Sequence, residues 1–243
     1  MQQFKPLFRD PDYRGTQANI QGCLRVNDIE EIGDGTHLLY FEMMGLFSFR
    51  EMTVKDAVGF WFDFLAEIGL CPDTVTIHPD KLDEWRSIYD GRSVKITADE
   101  QCIWSDGEIG GYCTEFYLHG VEIGNIVNTK GDCIDAGFGL DRLLLFLGDP
   151  PVDGIQVLQR GILKIIDSGY RPGNKQQGYV LRKLLKELVR RNGVLDHPVY
   201  RQEMERQEKL RANFERLWPK NSERPAAWWL DTHGIEPSDF TGS

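Results

Sequence analysis

The sequence predicts an α+β protein, with an antiparallel sheet flanked by helices over residues 1–148 and a helical domain over residues 149–243. Three observations support this prediction. Short alternating segments follow one another in the first part without the long crossover helices that parallel strands require. Gly148-Asp149-Pro150-Pro151 then interrupts the pattern. Beyond this interruption, the apolar residues recur with helical spacing.

Residues 1–50 mix short strands and turns, and a clear helix follows them. Thr53-Val54-Lys55-Asp56 has the form of a capping box. Apolar residues then recur with helical spacing up to Ile68, and Gly69 ends the pattern. We expect the apolar face of this helix to pack into the core.

Strand patterns follow this helix. Thr74–His78 and Ser93–Thr97 alternate in polarity, which is typical of half-buried strands. Residues 113–128 predict two strands around a turn at His119-Gly120. Such successive strands favour antiparallel pairing.

The second domain is predicted to be helical. One helix carries an apolar stripe of four leucines, with basic residues on another face: Leu181, Leu184, Leu185 and Leu188 against Arg182, Lys186 and Arg190. A second, highly charged helix is predicted over about Val199–Leu217. A tail that contains three tryptophans closes the chain.

Composition and charge limit the classes of function. A chain of 243 residues with 41% hydrophobic and 27% charged residues is typical of globular proteins. Its net charge of −10 argues against non-specific binding to nucleic acid. Residues 171–191, however, contain seven basic residues and one acidic residue. That segment is compatible with binding one polyanion at one place.

Cysteine usage and hydropathy predict the compartment. The five cysteines are scattered and form no Cys-x-x-Cys pair, so we expect no zinc site. Their odd number and the absence of a secretory signal predict reduced thiols in the cytoplasm. No apolar run approaches the ~20 residues that a membrane span needs, so we expect no membrane association.

The segment Ile134–Arg142 is the most informative one in the chain. It contains Gly137 and Gly139, an acid before them and an arginine after them, and it continues into an apolar helix. A glycine-spaced turn would let a ligand approach the backbone, and the arginine could bind a phosphate. Glycine spacing of this kind is weak evidence by itself.

Several motifs, in this order along the chain, resemble the catalytic core of alanyl-tRNA synthetases, which are class II enzymes. Gln3-Phe4-Lys5 is similar to the end of that family's first motif, Arg25–Met43 to motif 2 and Asp135–Arg142 to motif 3. Asn174–Arg182 and Leu230–Gly234 resemble its tRNA-recognition region. The resemblance therefore implies a class II synthetase-like catalytic domain followed by a tRNA-recognition-like domain.

The resemblance implies a site for ATP and Mg²⁺. Arg25 would bind the α-phosphate, Arg142 the terminal phosphates, and Phe41 would stack on adenine. Glu115 and Glu122, on adjacent predicted strands, would share Mg²⁺ with the phosphates. Taken singly, these residues also fit surface ion pairs, a core aromatic and acids on a solvated strand face.

The resemblance also implies a site for a small amino acid. Asp135 would hold the substrate ammonium, Trp104 would form the wall of the pocket, and Asn125 would lie beside the substrate. Alanine is the expected amino acid. Taken singly, the three residues also fit a helix N-cap, a core aromatic and a turn residue at a strand end.

A third set of residues is implied to contact the tRNA acceptor stem. Asn174 and Asp231 match the two polar residues with which the family reads a wobble base pair. Arg182 and Lys183, on the basic helix, would contact phosphates. An ordinary solvated amphipathic helix is the alternative.

The sequence also departs from the family. It begins inside motif 1 and resembles neither the editing domain nor the C-terminal region, so we expect a miniature form of undetermined oligomeric state. The turn at Asn27-Asp28, after Arg25, is shortened. Gly124 replaces a bulky aromatic, which suggests a wider pocket.

Three functions are compatible with the sequence. The first is a miniature ligase that adenylates alanine and charges tRNA. The second is a paralogue that adenylates an amino acid and transfers it to a small molecule or a carrier protein. The third is a non-catalytic module that binds tRNA or a nucleotide. Arg25, Asp135 and Arg142 argue against the third. Asn174 and Asp231 favour the first, and the shortened turn favours the second.

Overall fold

The computed structural model describes residues 2–26, 29–129 and 132–241. The chain divides into two compact units, Met1–Asp153 and Gly154–Ser243. The first contains an eight-stranded sheet with helices, and the second contains helices. The predicted α+β class is confirmed.

The sheet of the first unit is predominantly antiparallel, in the order β1-β2-β8-β7-β6-β3-β4. Strands β3 and β4 pair in parallel, and β5 pairs with β6 beside β3. The strands are β1 (Gly15–Leu24), β2 (Tyr40–Phe49), β3 (Thr74–Ile77), β4 (Lys95–Ala98), β5 (Ile103–Ser105), β6 (Gly110–Leu118), β7 (Val121–Thr129) and β8 (Cys133–Gly139).

The helices lie before, between and after these strands. Short 3₁₀ turns occur at Gln2–Phe4, Ile29–Glu31, Arg86–Tyr89 and Pro237–Asp239. The α-helices are α1 (Lys5–Arg9), α2 (Val54–Glu67), α3 (Pro79–Trp85), α4 (Leu140–Phe146), α5 (Gly154–Asp167), α6 (Gln176–Arg190), α7 (Pro198–Asn221) and α8 (Ala226–His233).

Helix α2 begins with the capping box that the sequence predicts. The backbone N–H of Asp56 donates to Oγ1 of Thr53 at 3.2 Å, and the Asp56 carboxylate accepts from the Thr53 N–H at 2.9 Å. Each bond satisfies a donor that the first helical turn would leave unpaired. The helix buries Ala57, Trp61 and Leu65 against the sheet, as its apolar face predicts.

The core lies between α2 and one face of the sheet. The ring of Trp61 stacks on that of Phe138, with centroids 3.9 Å apart, and Phe116 packs edge-on against Phe138. Because strand side chains alternate between faces, Phe138 and Ala136 lie on the α2 side of β8. Asp135 and Gly137 therefore lie on the opposite face.

The glycine-rich segment is a strand and not a turn, which corrects the sequence interpretation. Gly137 and Gly139 belong to β8, which pairs with β2 on one side and β7 on the other before the chain enters α4. A central position in the sheet satisfies the backbone groups on both sides of β8, so the ladder overrides the turn preference of glycine.

The second unit buries the predicted leucine stripe. Leu181, Leu184, Leu185 and Leu188 of α6 are fully buried, and α6 packs against α5 and α7. Near the C-terminal end, a separate cluster joins Phe214, Trp229 and Ile235. Among the described residues of both units, none of the helices is long and apolar enough to cross a membrane.

Candidate functional site

A cavity of about 400 Å³ lies in the first unit, beside strands β1, β2, β7 and β8 and the first turn of α4. It gathers residues that are far apart in the sequence. Seven of the residues that the sequence analysis assigned to ATP, Mg²⁺ or the amino acid line it: Arg25, Phe41, Trp104, Glu122, Asn125, Asp135 and Arg142.

The register of the sheet explains this gathering. Asp135 of β8 pairs directly with Val127 of β7, and Gly137 pairs with Asn125. Residues directly opposite each other project to the same face of a sheet. Asp135, Val127 and Asn125 therefore share the face that α2 does not cover, and all three line the cavity.

Two arginines line the cavity from different elements. Arg25 follows β1, and its backbone N–H donates to the Leu39 carbonyl at 2.9 Å, which closes the base of the β1–β2 connection. Arg142 lies in the first turn of α4, and its Nη1 donates to the Glu122 carbonyl at 2.5 Å. An arginine fork matches the geometry of a phosphate, so this pair suits a polyphosphate ligand.

The neighbouring aromatic residues Tyr40 and Phe41 of β2 project to opposite faces of the sheet, because side chains alternate along a strand. Phe41 and Met43 of β2 line the cavity, whereas Tyr40 projects to the other face. The Tyr40 hydroxyl lies against Gly22, where a Cβ atom would be only 2.4 Å away. Of these two neighbours, Phe41 is therefore the one whose ring lines the cavity.

Asp135 provides a carboxylate in a poorly solvated part of the cavity. Burial raises the pKa of Asp135 to about 6. An ammonium group placed beside it would compensate the charge that burial disfavours. The position therefore suits a cationic group of a ligand.

Trp104 and Asn125 line the cavity near Asp135. Trp104 lies in β5, where it pairs with Gly111 and packs against the buried Val127, which also lines the cavity. Asn125 pairs with Gly137 of β8. Together these residues provide an aromatic wall, an aliphatic wall and an amide.

The two predicted Mg²⁺ ligands differ in placement. Glu122 lines the cavity, and its Oε2 lies 3.3 Å from Nη1 of Arg142. Glu115 is not among the residues that line the cavity, although it lies on the same face of the sheet. The Tyr117 hydroxyl donates to Glu115 at 2.7 Å, and burial raises the pKa of this carboxyl.

Gly124 does not widen the pocket in the way that the sequence suggested. A Cβ atom at this position would lie 2.4 Å from the ring of Phe138, on the core side of the sheet. Gly124 itself lines the cavity, and its missing side chain makes room on the other face for Phe138, which stacks on Trp61. The direction of the missing side chain therefore gives no support to the expectation of a wider pocket.

The connection before β2 contributes a residue to which the sequence analysis gave no role. His37 lines the cavity, and its ring nitrogens lie 2.5 Å from the Asp34 carboxylate and 3.1 Å from that of Glu31. Although partial burial opposes it, hydrogen bonds from His37 and Thr36 lower the pKa of Asp34. The shortened turn at Asn27-Asp28 lies outside the described residues.

The residues expected to contact tRNA lie in the second unit. Asn174 is exposed before α6, Lys183 is exposed on α6, and Asp231 is exposed on α8. Arg182 differs, because its side chain is 14% exposed and its Nε donates to Glu203 at 3.0 Å. Arg182 also donates to Oδ1 of Asn174, so the structure uses Arg182 in contacts within the unit.

Comparison with known proteins agrees with this architecture. Residues 1–137 match the family model described as tRNA synthetases class II (A). The chain is 28% identical to an alanine–tRNA ligase of Tropheryma whipplei and 29% identical to one of Francisella philomiragia. These alignments cover 76% and 80% of this chain, and 29% and 31% of the respective relatives.

An alanine–tRNA ligase of Rubrobacter xylanophilus is 26% identical over 78% of this chain and 32% of its own length. The chain thus spans about a third of the length of the curated relatives it matches. The family model covers more than half of the chain and includes β1, β2, β7 and most of β8. The chain therefore belongs to the class II (A) tRNA synthetases.

Proposed function

We propose that this chain activates a small amino acid with ATP, forms the aminoacyl adenylate and transfers the aminoacyl group to the acceptor end of tRNA. Alanine is the proposed amino acid, because the curated relatives are named alanine–tRNA ligases. The main support for this proposal is that Arg25, Arg142 and the carboxylate of Asp135 line one cavity. These groups complement the phosphates of ATP and the ammonium of an amino acid.

Adenylation requires charge stabilisation and positioning more than proton transfer. A carboxylate oxygen of the amino acid attacks the α-phosphorus, and the bond from that phosphorus to the bridging oxygen of pyrophosphate breaks. We assign Arg25 to the α-phosphate, where negative charge develops, and Arg142 to the departing pyrophosphate. Phe41 would stack on adenine.

Glu122 fits a role in Mg²⁺ binding. Its carboxylate lines the cavity beside Arg142. Mg²⁺ binds to proteins through one or two carboxylates together with phosphate oxygens and water. When bound, the ion would neutralise phosphate charge; Glu122 would orient it and hold Arg142 in place.

We assign three residues to the amino acid. Asp135 would accept hydrogen bonds from the ammonium group, which fixes the direction of the carboxylate towards the α-phosphate. Trp104 would pack against the side chain, and Asn125 would hydrogen-bond beside it. A charge-assisted bond in a poorly solvated site gives both orientation and affinity.

The second unit is the proposed tRNA-binding domain. Asn174 and Asp231 would read base edges of the acceptor stem, and Lys183 would contact phosphates. Because Arg182 donates to Glu203 and Asn174, we assign it a positioning role for Asn174 in place of a phosphate contact.

A second candidate is transfer of the activated amino acid to a small molecule or a carrier protein. The observation that favours it is the pairing of Arg182 with Glu203 and Asn174, which removes one predicted phosphate contact from the basic helix. The net charge of −10 also weakens attraction to nucleic acid.

Amino-acid-dependent pyrophosphate exchange, measured for each of the twenty amino acids with and without tRNA, tests the first step. We expect exchange with alanine or another small amino acid. Absence of exchange with every amino acid would refute the proposed activity. Acylation of tRNA with the preferred amino acid then separates the two candidates, because the second requires adenylation without tRNA charging.

A further inference from the structure

We propose that Cys102, Cys113 and Glu115 form a binding site for a zinc-like divalent cation, with two sulfur ligands, one oxygen ligand and an open fourth position. We expected no zinc site from the sequence, because the cysteines form no Cys-x-x-Cys pair. Strand pairing brings together two cysteines that lie far outside such a motif.

The pairing of β5 with β6 brings the residues of this site together. Ile103 pairs with Tyr112, so Cys102 lies opposite Cys113, and the Cys113 N–H donates to the Cys102 carbonyl at 2.9 Å. Glu115 lies two residues after Cys113 on the same strand and therefore on the same face. The two Sγ atoms and a carboxylate oxygen of Glu115 all lie within 4.8 Å of one another.

These separations are close to those of a tetrahedral zinc site. Zn–S bonds of about 2.3 Å and Zn–O bonds of about 2.1 Å imply ligand atoms roughly 3.6–3.8 Å apart. Sγ of Cys113 and Oε1 of Glu115 are already 4.0 Å apart. Rotamer adjustments of less than about 1 Å would therefore complete the geometry.

Neighbouring hydroxyls orient the Glu115 carboxylate. Tyr117 donates to Oε2 at 2.7 Å, and Oγ1 of Thr76 donates to the same oxygen at 3.3 Å. Oε1 is thereby directed towards Cys113. Carboxylates that ligate metals are commonly held by such outer hydrogen bonds, which fix the direction of the ligand atom.

The surroundings favour a soft metal and not Mg²⁺. Cys102 is fully buried and Cys113 is 1% exposed. A bound divalent cation would compensate the ionised ligands, and thiolates select zinc-like metals over magnesium.

The site would lie beside the cavity, on the same face of the sheet. Val127 and Trp104 pack against the two cysteines, and both also line the cavity. A cation here would fix the β5–β6 edge that carries Trp104. Cation binding is measurable without any reaction, so its failure is distinguishable from failure of the proposed adenylation.

A titration with Co²⁺ tests the proposal on the reduced, chelator-treated full chain. We expect one equivalent to bind, with the thiolate charge-transfer and tetrahedral visible bands of a two-sulfur site, and one equivalent of Zn²⁺ to displace it. Cys102→Ser and Cys113→Ser should each lose the charge-transfer band at one equivalent. Cys71→Ser, which alters an exposed cysteine, should titrate like the wild type.

Circular dichroism shows whether each cysteine variant folds. If one does not, Glu115→Gln and Tyr117→Phe test the same site without changing a cysteine. Both should bind Co²⁺ at least tenfold more weakly than the wild type, because one removes a ligand charge and the other removes its outer hydrogen bond. Wild-type protein that shows no charge-transfer band would overturn the proposal. So would Cys113→Ser with unchanged affinity, or a Cys102–Cys113 disulfide in freshly isolated protein.

Discussion

Arg142 and Glu122 are joined twice. Nη1 of Arg142 donates to the backbone carbonyl of Glu122 at 2.5 Å and to its carboxylate at 3.3 Å. The first turn of α4 is thereby tied to β7 at the edge of the cavity. The backbone bond does not depend on the acidic side chain, so Arg142 can stay in place when the carboxylate turns to a cation.

Glu122→Gln should weaken the binding of the Mg²⁺ that the activity requires. Loss of the carboxylate charge should raise the Mg²⁺ concentration for half-maximal pyrophosphate exchange on the order of tenfold, or ~1.4 kcal/mol. Stability should change by less than about 1 kcal/mol, because the Arg142–Glu122 pair is partly exposed. The exposed Glu67→Gln is a matched control. An unchanged Mg²⁺ profile would contradict the assignment of Glu122.

Asp135→Asn should stabilise the protein at neutral pH. Burial raises the pKa of Asp135 from 3.8 to about 6, so ionisation is penalised in the folded state. The penalty is absent below about pH 4, grows as pH rises and is complete above about pH 6. At about 1.4 kcal/mol per pKa unit, the variant should gain about 2–3 kcal/mol near pH 7.5 and nothing near pH 4.

Urea unfolding at both pH values measures this difference. A variant less stable than the wild type at pH 7.5 would show that another group pairs with the carboxylate. The same variant should raise the KM for the amino acid far more than the KM for ATP. Equal effects on both constants would indicate a structural role for Asp135.

Glu203→Gln should destabilise the second unit. Glu203 is 4% exposed and accepts from Arg182, Arg206 and Gln207 at 2.8–3.0 Å. Removing its charge leaves the Arg182 guanidinium without a buried negative partner. This should lower the free energy of unfolding by about 3–5 kcal/mol. Chemical denaturation measures the cost, and the exposed Glu205→Gln serves as the control. A cost below about 1 kcal/mol would show that solvent already screens the pair.

Binding of tRNA should weaken as salt increases. Different residues should determine the affinity for tRNA and the discrimination between tRNAs. Lys183→Ala should weaken binding of all tRNAs alike, because a phosphate contact carries no sequence information. Asn174→Ala should reduce discrimination between tRNAs. Filter binding at low salt measures both, with the exposed Lys209→Ala as the control. No binding at tens of micromolar would favour transfer to another acceptor.

Local signals made much of the fold predictable. The capping box at Thr53 and the leucine stripe around Leu184 each need only a few neighbouring residues, and both occur as predicted. The strands on either side of His119 were also predictable, because alternation and a turn lie in one short segment. The family resemblance supplied the cavity residues, some from motifs 2 and 3 and the others from single matched positions between these motifs.

Features that depend on distant partners were not predictable. Gly137 reads as a turn residue until two neighbouring strands enclose it. The sequence suggests that Gly124 leaves space in the pocket, whereas in the structure the ring of Phe138 lies against it. The approach of Cys102 to Cys113 requires the register of β5 on β6, and the pairing of Arg182 with Glu203 requires the packing of two helices.

The most direct test of adenylation in this cavity is to compare pyrophosphate exchange by Arg25→Ala with that of the wild type. Arg86→Ala, which alters an exposed arginine outside the cavity, is the control. Loss of charge-assisted contacts to the reacting phosphate should remove about 2–4 kcal/mol of transition-state stabilisation. Exchange by Arg25→Ala should therefore fall roughly 30- to 1,000-fold, while Arg86→Ala stays at the wild-type rate. Wild-type exchange by Arg25→Ala would contradict adenylation in this cavity.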